Sequence, residues 1–229
     1  MSEAAGPVSR RERPSKPALT RAGVVATAAA LVRDEGAARL TMRRLAQRLD
    51  TGPASLYVYV RDTAELQAAV LGEFLAAVDL TPAGERGPWD ERLRRVVGSY
   101  TAVLREHPSL ARVAVVTRPS GPHYLALVET LLALLAEGGM PDDRAAWLVD
   151  LLLLVATASA AEHGTRGEDG TEGAADADLA ATLGAASATQ HPRVAALGAA
   201  LVSGAPEDRE RWFVDLLLAG GMGTPRPDR

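Results

Sequence analysis

Between Thr20 and Leu66 three helical periodicities are packed into 47 residues, with only a few residues between them. Val25, Ala28, Ala29 and Val32 fall at i, i+3, i+4 and i+7, one face of a first helix. Thr20 is a natural N-cap for it, because its hydroxyl can accept from an orphan backbone N–H. Gly36 is a natural stop, since glycine takes the left-handed conformation that ends many helices. Leu40 precedes a second cap, Thr41, and residues 42–49 form a second helix. Leu45, Ala46 and Leu49 point inward on it, and Arg43, Arg44 and Arg48 lie largely off that face. The turn Asp50-Thr51-Gly52 leads to Pro53, placed where a missing N–H costs nothing. The third helix is very short, ending at about Tyr59, and Leu56 and Val60 plug it into the other two. Asp62 with Glu65 three residues on predicts a fourth helix running to about Val78. Helix, tight turn, helix is a shape that sets one helix into the major groove of DNA.

The stretch LTMRRLAQRLDTGPASLYVYVRDTAEL (residues 40–66) resembles the DNA-binding signature of the tetracycline-repressor-like (TetR/AcrR) family of transcriptional regulators. The rest of the chain resembles the family in length and helical character. The resemblance implies an all-α fold: an N-terminal three-helix helix-turn-helix DNA-binding domain, then a helical-bundle ligand-binding and dimerisation domain. It divides the chain into a flexible basic arm (1–18), the DNA-binding domain (19–66), the ligand-binding and dimerisation domain (67–220) and a frayed tail (221–229). It implies a cytoplasmic repressor that binds a palindromic double-stranded operator as a homodimer and is released by a small-molecule effector. No enzyme activity, cofactor or membrane partner is expected.

Carried over position by position, the family pattern puts Thr41 and Arg43 at the start of the second helix, where a hydroxyl, a guanidinium and backbone N–H groups can hold phosphate. Arg43 can instead reach a base, and Arg44 is a further phosphate candidate. Ala54 and Ser55 take base-reading positions; a hydroxyl both donates and accepts, so it discriminates weakly. Tyr57 and Tyr59 match positions that touch the sugar-phosphate backbone, with packing inside the small domain as the other reading. Three departures from the pattern stand out. Asp50 replaces the usual turn glycine, at modest cost because Asp tolerates left-handed φ. Thr63 replaces a phosphate-gripping lysine, shifting that grip to Arg61. Pro53 and Ala54 offer no hydrogen-bonding side chain, so direct base readout is sparse.

Charge distribution agrees with such a division. The chain carries −4 overall, yet residues 1–62 hold eleven arginines or lysines against six acidic residues, a net +5, leaving −9 on residues 63–229. A basic head on an acidic body supplies local phosphate contact while the body resists non-specific sticking. Arg10, Arg11 and Arg13 in the first 18 residues either follow phosphates or belong to a solvated tail. The absence of cysteine excludes a disulfide scaffold, a thiol nucleophile and thiolate metal sites. Four scattered histidines (His107, His123, His163, His191) show no ligand spacing, so no metal site is expected. No uncharged run reaches the ~18 residues of a membrane span, and no apolar stretch follows the N-terminal arginines to make a signal peptide.

In the body, helices are expected from Trp89 to about Glu106, Pro108 to Val116, His123 to Glu137, and Pro141 to about Glu162, with a linker at 81–88. Residues 145–161 are apolar almost all round, interrupted by Asp150, so that helix must be covered on every side. One face then lies in the subunit core and the other meets a partner subunit, joined by the similar 212–218 segment in an intersubunit four-helix bundle. Residues 164–178, Gly-rich and acidic, read as a flexible loop; shorter helices follow at 179–187 and 194–202. A ligand pocket with few orienting groups draws on Tyr100, Leu104, His123, Tyr124, Leu127, Trp147, Asp150, Leu151 and Leu154, with Thr157 as a further polar group. Two other readings stay open: a DNA-binding regulator controlled by a protein partner instead of a ligand, and an all-α enzyme.

Overall fold

Local chemistry fixes where the first helices begin and end in the computed structural model, which describes residues 18–168 and 172–227. Thr20 accepts the Gly23 N–H at 3.0 Å and opens α1 (Arg21–Glu35), which Gly36 closes at φ 85°. A 3-10 turn (Ala37–Arg39) leads to Thr41, whose hydroxyl accepts the Arg44 N–H at 3.1 Å and opens α2 (Met42–Arg48). Asp50 takes φ 48° in the following turn, the left-handed conformation its short polar side chain tolerates. Gly52 caps α3, which spans only Pro53–Leu56; residues 57–59 continue as turns. The Tyr59 N–H reaches Leu56 O at 2.9 Å, the tighter 3-10 spacing common at helix ends, and this shortens the expected helix. Asp62 caps α4 (Thr63–Phe74) by accepting the Glu65 N–H at 2.8 Å. The reciprocal half of a capping box is replaced: the Glu65 carboxylate takes the Arg61 N–H at 2.9 Å.

These four helices share one core. Val24, Ala28, Leu31, Leu45, Leu56 and Val60 are buried together, and Leu66, Val70, Leu71 and Phe74 of α4 carry the apolar cluster into the body. The domain boundary expected at residue 66 therefore falls inside a continuous helix that serves both halves. The body comprises α5 (Trp89–Arg105), α6 (Pro108–Val116), α7 (Pro122–Glu137), α8 (Asp142–Glu168), α9 (Glu172–Gly184), α10 (Pro192–Leu201) and α11 (Pro206–Gly223). Every element among the described residues is helical, so the fold is all-α. Arg92 is a buried cation that donates to Ala83 O at 2.8 Å and pairs with Glu137, tying α5 to the preceding turn and to α7.

α8 is the central element, packed against α5, α6, α7 and α11. Its buried face holds Leu148, Leu152, Leu153, Ala156 and Ala160, whereas Trp147, Leu151 and Leu154 are exposed. Residues 142–162 are long and apolar enough to cross a membrane by length and composition, although no uncharged run that long exists, and 44% of that window is buried inside the fold. α11 shows the same two-sidedness, burying Val214 and Leu218 and exposing Trp212 and Leu216.

Two sequence expectations need correction. The stretch 164–178, expected as a loop, is helical on both sides, with α8 running to Glu168 and α9 starting at Glu172. Extending a helix already locked into the core needs only one hydrogen bond per added residue, and the Ala-rich start of α9 favours helix despite its glycines. The stretch after Gly220, expected to fray, continues as helix to Gly223. It is held by Arg144, which donates to Met222 O at 2.8 Å, and by Arg226, which donates to Asp143 O at 3.0 Å and lies 4.0 Å over the Trp147 ring. The N-terminal arm with Arg10, Arg11 and Arg13 lies outside the described residues.

Candidate functional site

The expected DNA-contacting residues lie on and beside α2, α3 and the start of α4. Gly52 and Pro53 begin α3 abruptly, and Leu56 and Val60 anchor it and the turn that follows. Ala54, Ser55 and Tyr57 are left exposed, Tyr57 at 54%. Tyr59 lies differently: it is half-buried and packs against the core. Val58, which sequence reasoning did not single out, is 80% exposed beside Tyr57. A valine that open within a run of aromatics and valines is the signal that could have flagged it.

On α2 the cations are arranged by acidic neighbours. Arg44 is held by Glu35 through contacts of 2.9 to 3.1 Å, and Arg48 pairs with Asp34. Arg43 is exposed and makes no ion pair with the described residues. Arg39, also missed from sequence, joins Glu35, Thr41 and Arg44 around a surface groove. Exposed ion pairs contribute about 0–1 kcal/mol, so a phosphate can replace Glu35 on Arg44 at little cost. Thr41 spends its acceptor on the α2 cap, which aims the first N–H groups of that helix outward. Arg61 is exposed and bonded to Glu65, and Thr63 is half-buried in the first turn of α4. The Glu65 carboxyl is lowered to about 2, first by the Arg61 N–H, then by the guanidinium of Arg21 and that of Arg61.

The body holds a cleft of about 170 Å³ between α5, the end of α6, the loop that follows, α7 and α8. Of the residues expected to line a pocket, Tyr100, Tyr124, Asp150 and Leu154 meet here, with Thr157. Leu104 and Leu127 are fully buried in the general core, and His123 is half-buried outside the cleft. Trp147 and Leu151 line a separate apolar groove between α8 and α11. The structure adds Val115, Val116, Thr117, Arg118 and Pro119. The available signal was an apolar helix end running into a Pro/Gly break with one cation.

Proton positions in the cleft follow from the bonds. The Thr157 hydroxyl donates to Leu153 O at 2.6 Å, so its single proton is committed. It must then accept from the Tyr100 O–H, 2.6 Å away. Burial pushes the Tyr100 phenol above its ordinary range. At the rim Arg118 pairs with Asp150, linking the α6–α7 loop to α8. The same loop touches α4 through backbone: Ser120 N–H donates to Ala68 O at 3.1 Å, and Gly72 faces Ser120 O. The arrangement offers a slot with two phenols, two threonine hydroxyls and an ion pair, joined mechanically to the helix that leaves the head. Among the described residues no group of His, Asp or Glu is placed to hold a metal.

Comparison with known proteins gives a consistent result. Residues 81–220 match the profile of the tetracycline repressor-like C-terminal domain. A solved transcription regulator of Streptomyces coelicolor is 51% identical, with a TM-score of 0.80, covering 93% of this chain and 100% of that one. The TetR-family protein ActR of the same organism, solved with actinorhodin, is 34% identical with a TM-score of 0.78, covering 89% and 97%. The transcriptional repressor DrrR1 of Streptomyces coeruleorubidus is 31% identical over 146 residues, 64% of this chain and 53% of its own length. An HTH-type regulator of Saccharopolyspora erythraea is 35% identical over 130 residues, 55% of this chain and 52% of its own. The matched part thus spans about half the length of these curated relatives.

Proposed function

The chain belongs to the tetracycline-repressor-like family of transcriptional regulators, and from that premise we infer that it is a cytoplasmic DNA-binding repressor and not an enzyme. It binds a palindromic operator as a homodimer and releases it when a small molecule enters the α5–α8 cleft. The observation that carries the reading is the open face of α3 and the turn after it, with Ala54, Ser55 and Tyr57 exposed, together with the exposed Arg43 of α2. An anchored, solvent-facing helix of this kind fits a major groove, and the surrounding cations meet phosphate.

Support for the dimer comes from the apolar faces of α8 and α11. Trp147, Leu151 and Leu216 are exposed around one apolar groove, with the exposed Trp212 one turn before Leu216 on α11. A second copy covers them and sets the two heads about one DNA turn apart, ~34–36 Å. The effector has an apolar body and one or two oxygen groups, matched by Tyr100, Thr157 and the Arg118–Asp150 pair. ActR was solved in complex with actinorhodin, which makes actinorhodin the first effector to try.

The test is a shift assay on the DNA flanking the protein's own gene, with sedimentation on the same preparation. A dimer should bind one duplex in a salt-dependent way, and actinorhodin should weaken the binding at least severalfold if the effector is of that class. A monomer that ignores every duplex offered would overturn the reading.

A further inference from the structure

A hydrogen bond ties the head to the body through residues outside α4. The Ala37 N–H, in the turn between α1 and α2, donates to the Ser109 hydroxyl at 2.9 Å. Ser109 is half-buried in the first turn of α6, and Gly36 lies against the same side chain. One residue pair away, His107 meets Phe74 of α4 edge-on at 4.6 Å, and Arg33 of α1 lies 4.9 Å over that Phe74 ring. The N-terminal end of α6 is therefore a joint where α1, α4 and the turn before α2 meet.

The opposite end of α6 is the cleft wall. Val115 and Val116 close the helix and line the cleft, and Arg118 just beyond it pairs with Asp150. Nine residues of helix span the two ends. A helix that short moves as one rigid rod, so displacement of the cleft wall reaches Ser109 without passing through α4.

We propose that Ser109 is a positioning residue for DNA reading: its hydroxyl fixes the orientation of the head on α6, and through it the separation of the two heads in the dimer. This rests on the regulator reading above. α1 packs along α4, and the turn before α2 touches α6, but apolar packing is non-directional and leaves small rotations of the head open. The Ala37–Ser109 bond adds an attachment of fixed geometry to that packing. It is directional, made to backbone, and placed at the turn that leads into the cap of α2. Two reading heads on a rigid duplex must agree in spacing, so stiffness at this joint becomes selectivity for half-site spacing.

The experiment compares the full-length wild type with Ser109→Ala, Ser109→Val and Ser109→Thr. Thr keeps the acceptor; Val matches Thr in shape and lacks it. A duplex is first selected from random sequence by the wild type. Binding is then measured to that duplex and to versions with one base pair added or removed at the centre. A neutral hydrogen bond is worth roughly a factor of 2–10 in an equilibrium, and the dimer has two such joints. Ala and Val should therefore lose at least about fivefold of the wild-type preference for the selected spacing, and Thr should keep it. Amide exchange provides a second readout, in which Ala37 loses protection in Val and retains it in Thr. If a duplex is selected and Ala and Val hold the wild-type spacing ratio, the positioning role is refuted and the regulator reading stands. If the wild type selects no duplex, both fall together.

Discussion

Replacing Gly72 by alanine tests whether the contact between α4 and the α6–α7 loop is as tight as it looks. An ideal Cβ at Gly72 lies 1.8 Å from Ser120 O and 3.0 Å from its carbonyl carbon. Ordinary contact between such atoms needs more than 3 Å, so helix and loop must part by about 1.5 Å. No side-chain rotation relieves this, because the obstacle is backbone. Overpacking of this kind costs about 1–3 kcal/mol. The Ser120 N–H to Ala68 O bond, at 3.1 Å, sits in the same contact and would be lost, adding about 0.5–1.5 kcal/mol. Against this stands the better helix propensity of Ala, up to about 1 kcal/mol within α4. Strain wins, with a net loss of about 0.5–3.5 kcal/mol, and at ~2–4 °C per kcal/mol for a chain of this size the melting temperature falls by about 1–14 °C. Thermal unfolding by circular dichroism at fixed protein concentration gives the number. A Gly72→Ala protein that melts at or above the wild-type temperature refutes the argument, since propensity would then outweigh a clash that is supposed to be unavoidable.

The bonded hydroxyls of Tyr100 and Thr157 should respond unequally to removal. Tyr100→Phe leaves Thr157 still donating to Leu153 O and should cost about 0.5–1.5 kcal/mol, whereas Thr157→Val strands a buried phenol and should cost about 1–3 kcal/mol; equal losses in urea unfolding would contradict the assigned proton direction. Glu65 has a folded-state carboxyl lowered to about 2 from an ordinary value of 4.5. Its contribution is thus present above pH 4.5 and is lost as the pH falls through about 2. Carbon-detected NMR should place its titration midpoint well under 3.5, and a midpoint near 4.5 would mean the Arg21 and Arg61 contacts are absent in solution. Arg43→Ala should weaken operator binding and lower the salt slope by about 1, leaving the sedimentation behaviour unchanged; an unaltered slope would remove Arg43 from the phosphate contacts. Tyr57→Ala should cost about 5–30-fold in operator affinity at constant salt, the ~1–2 kcal/mol of one lost interface anchor.

The parts of the fold that could be read from sequence are those governed by local chemistry. Thr20, Thr41 and Asp62 cap the helices they were expected to cap, and Gly36 and Asp50 adopt the left-handed φ that their positions demand. The body helices from Trp89 to Glu137 begin and end within a residue or so of their Pro and Gly boundaries. Local rules failed at 164–178, where four glycines suggested a loop and neighbouring helix propagated through most of it. Tertiary placement was harder. Leu104 and Leu127 look in sequence like any pocket-lining leucine, yet α5 and α7 turn them into the general core. Trp147 and Leu154, two turns apart on α8, end on different grooves, because the facing element at one is α11 and at the other the α6–α7 loop. Arg118 carried no periodic signal at all; only the folded loop brings it to Asp150.

The α9–α10 pair carries a lesson of its own. Its helices pack chiefly on each other, with Gly198 against Leu183, and leave Leu179, Leu197 and Leu201 exposed. Few side chains there are committed to the common core, so few substitutions there can damage it. This segment should therefore be the part of the chain most free to drift, accepting changes in length and composition that α5 or α8 would refuse.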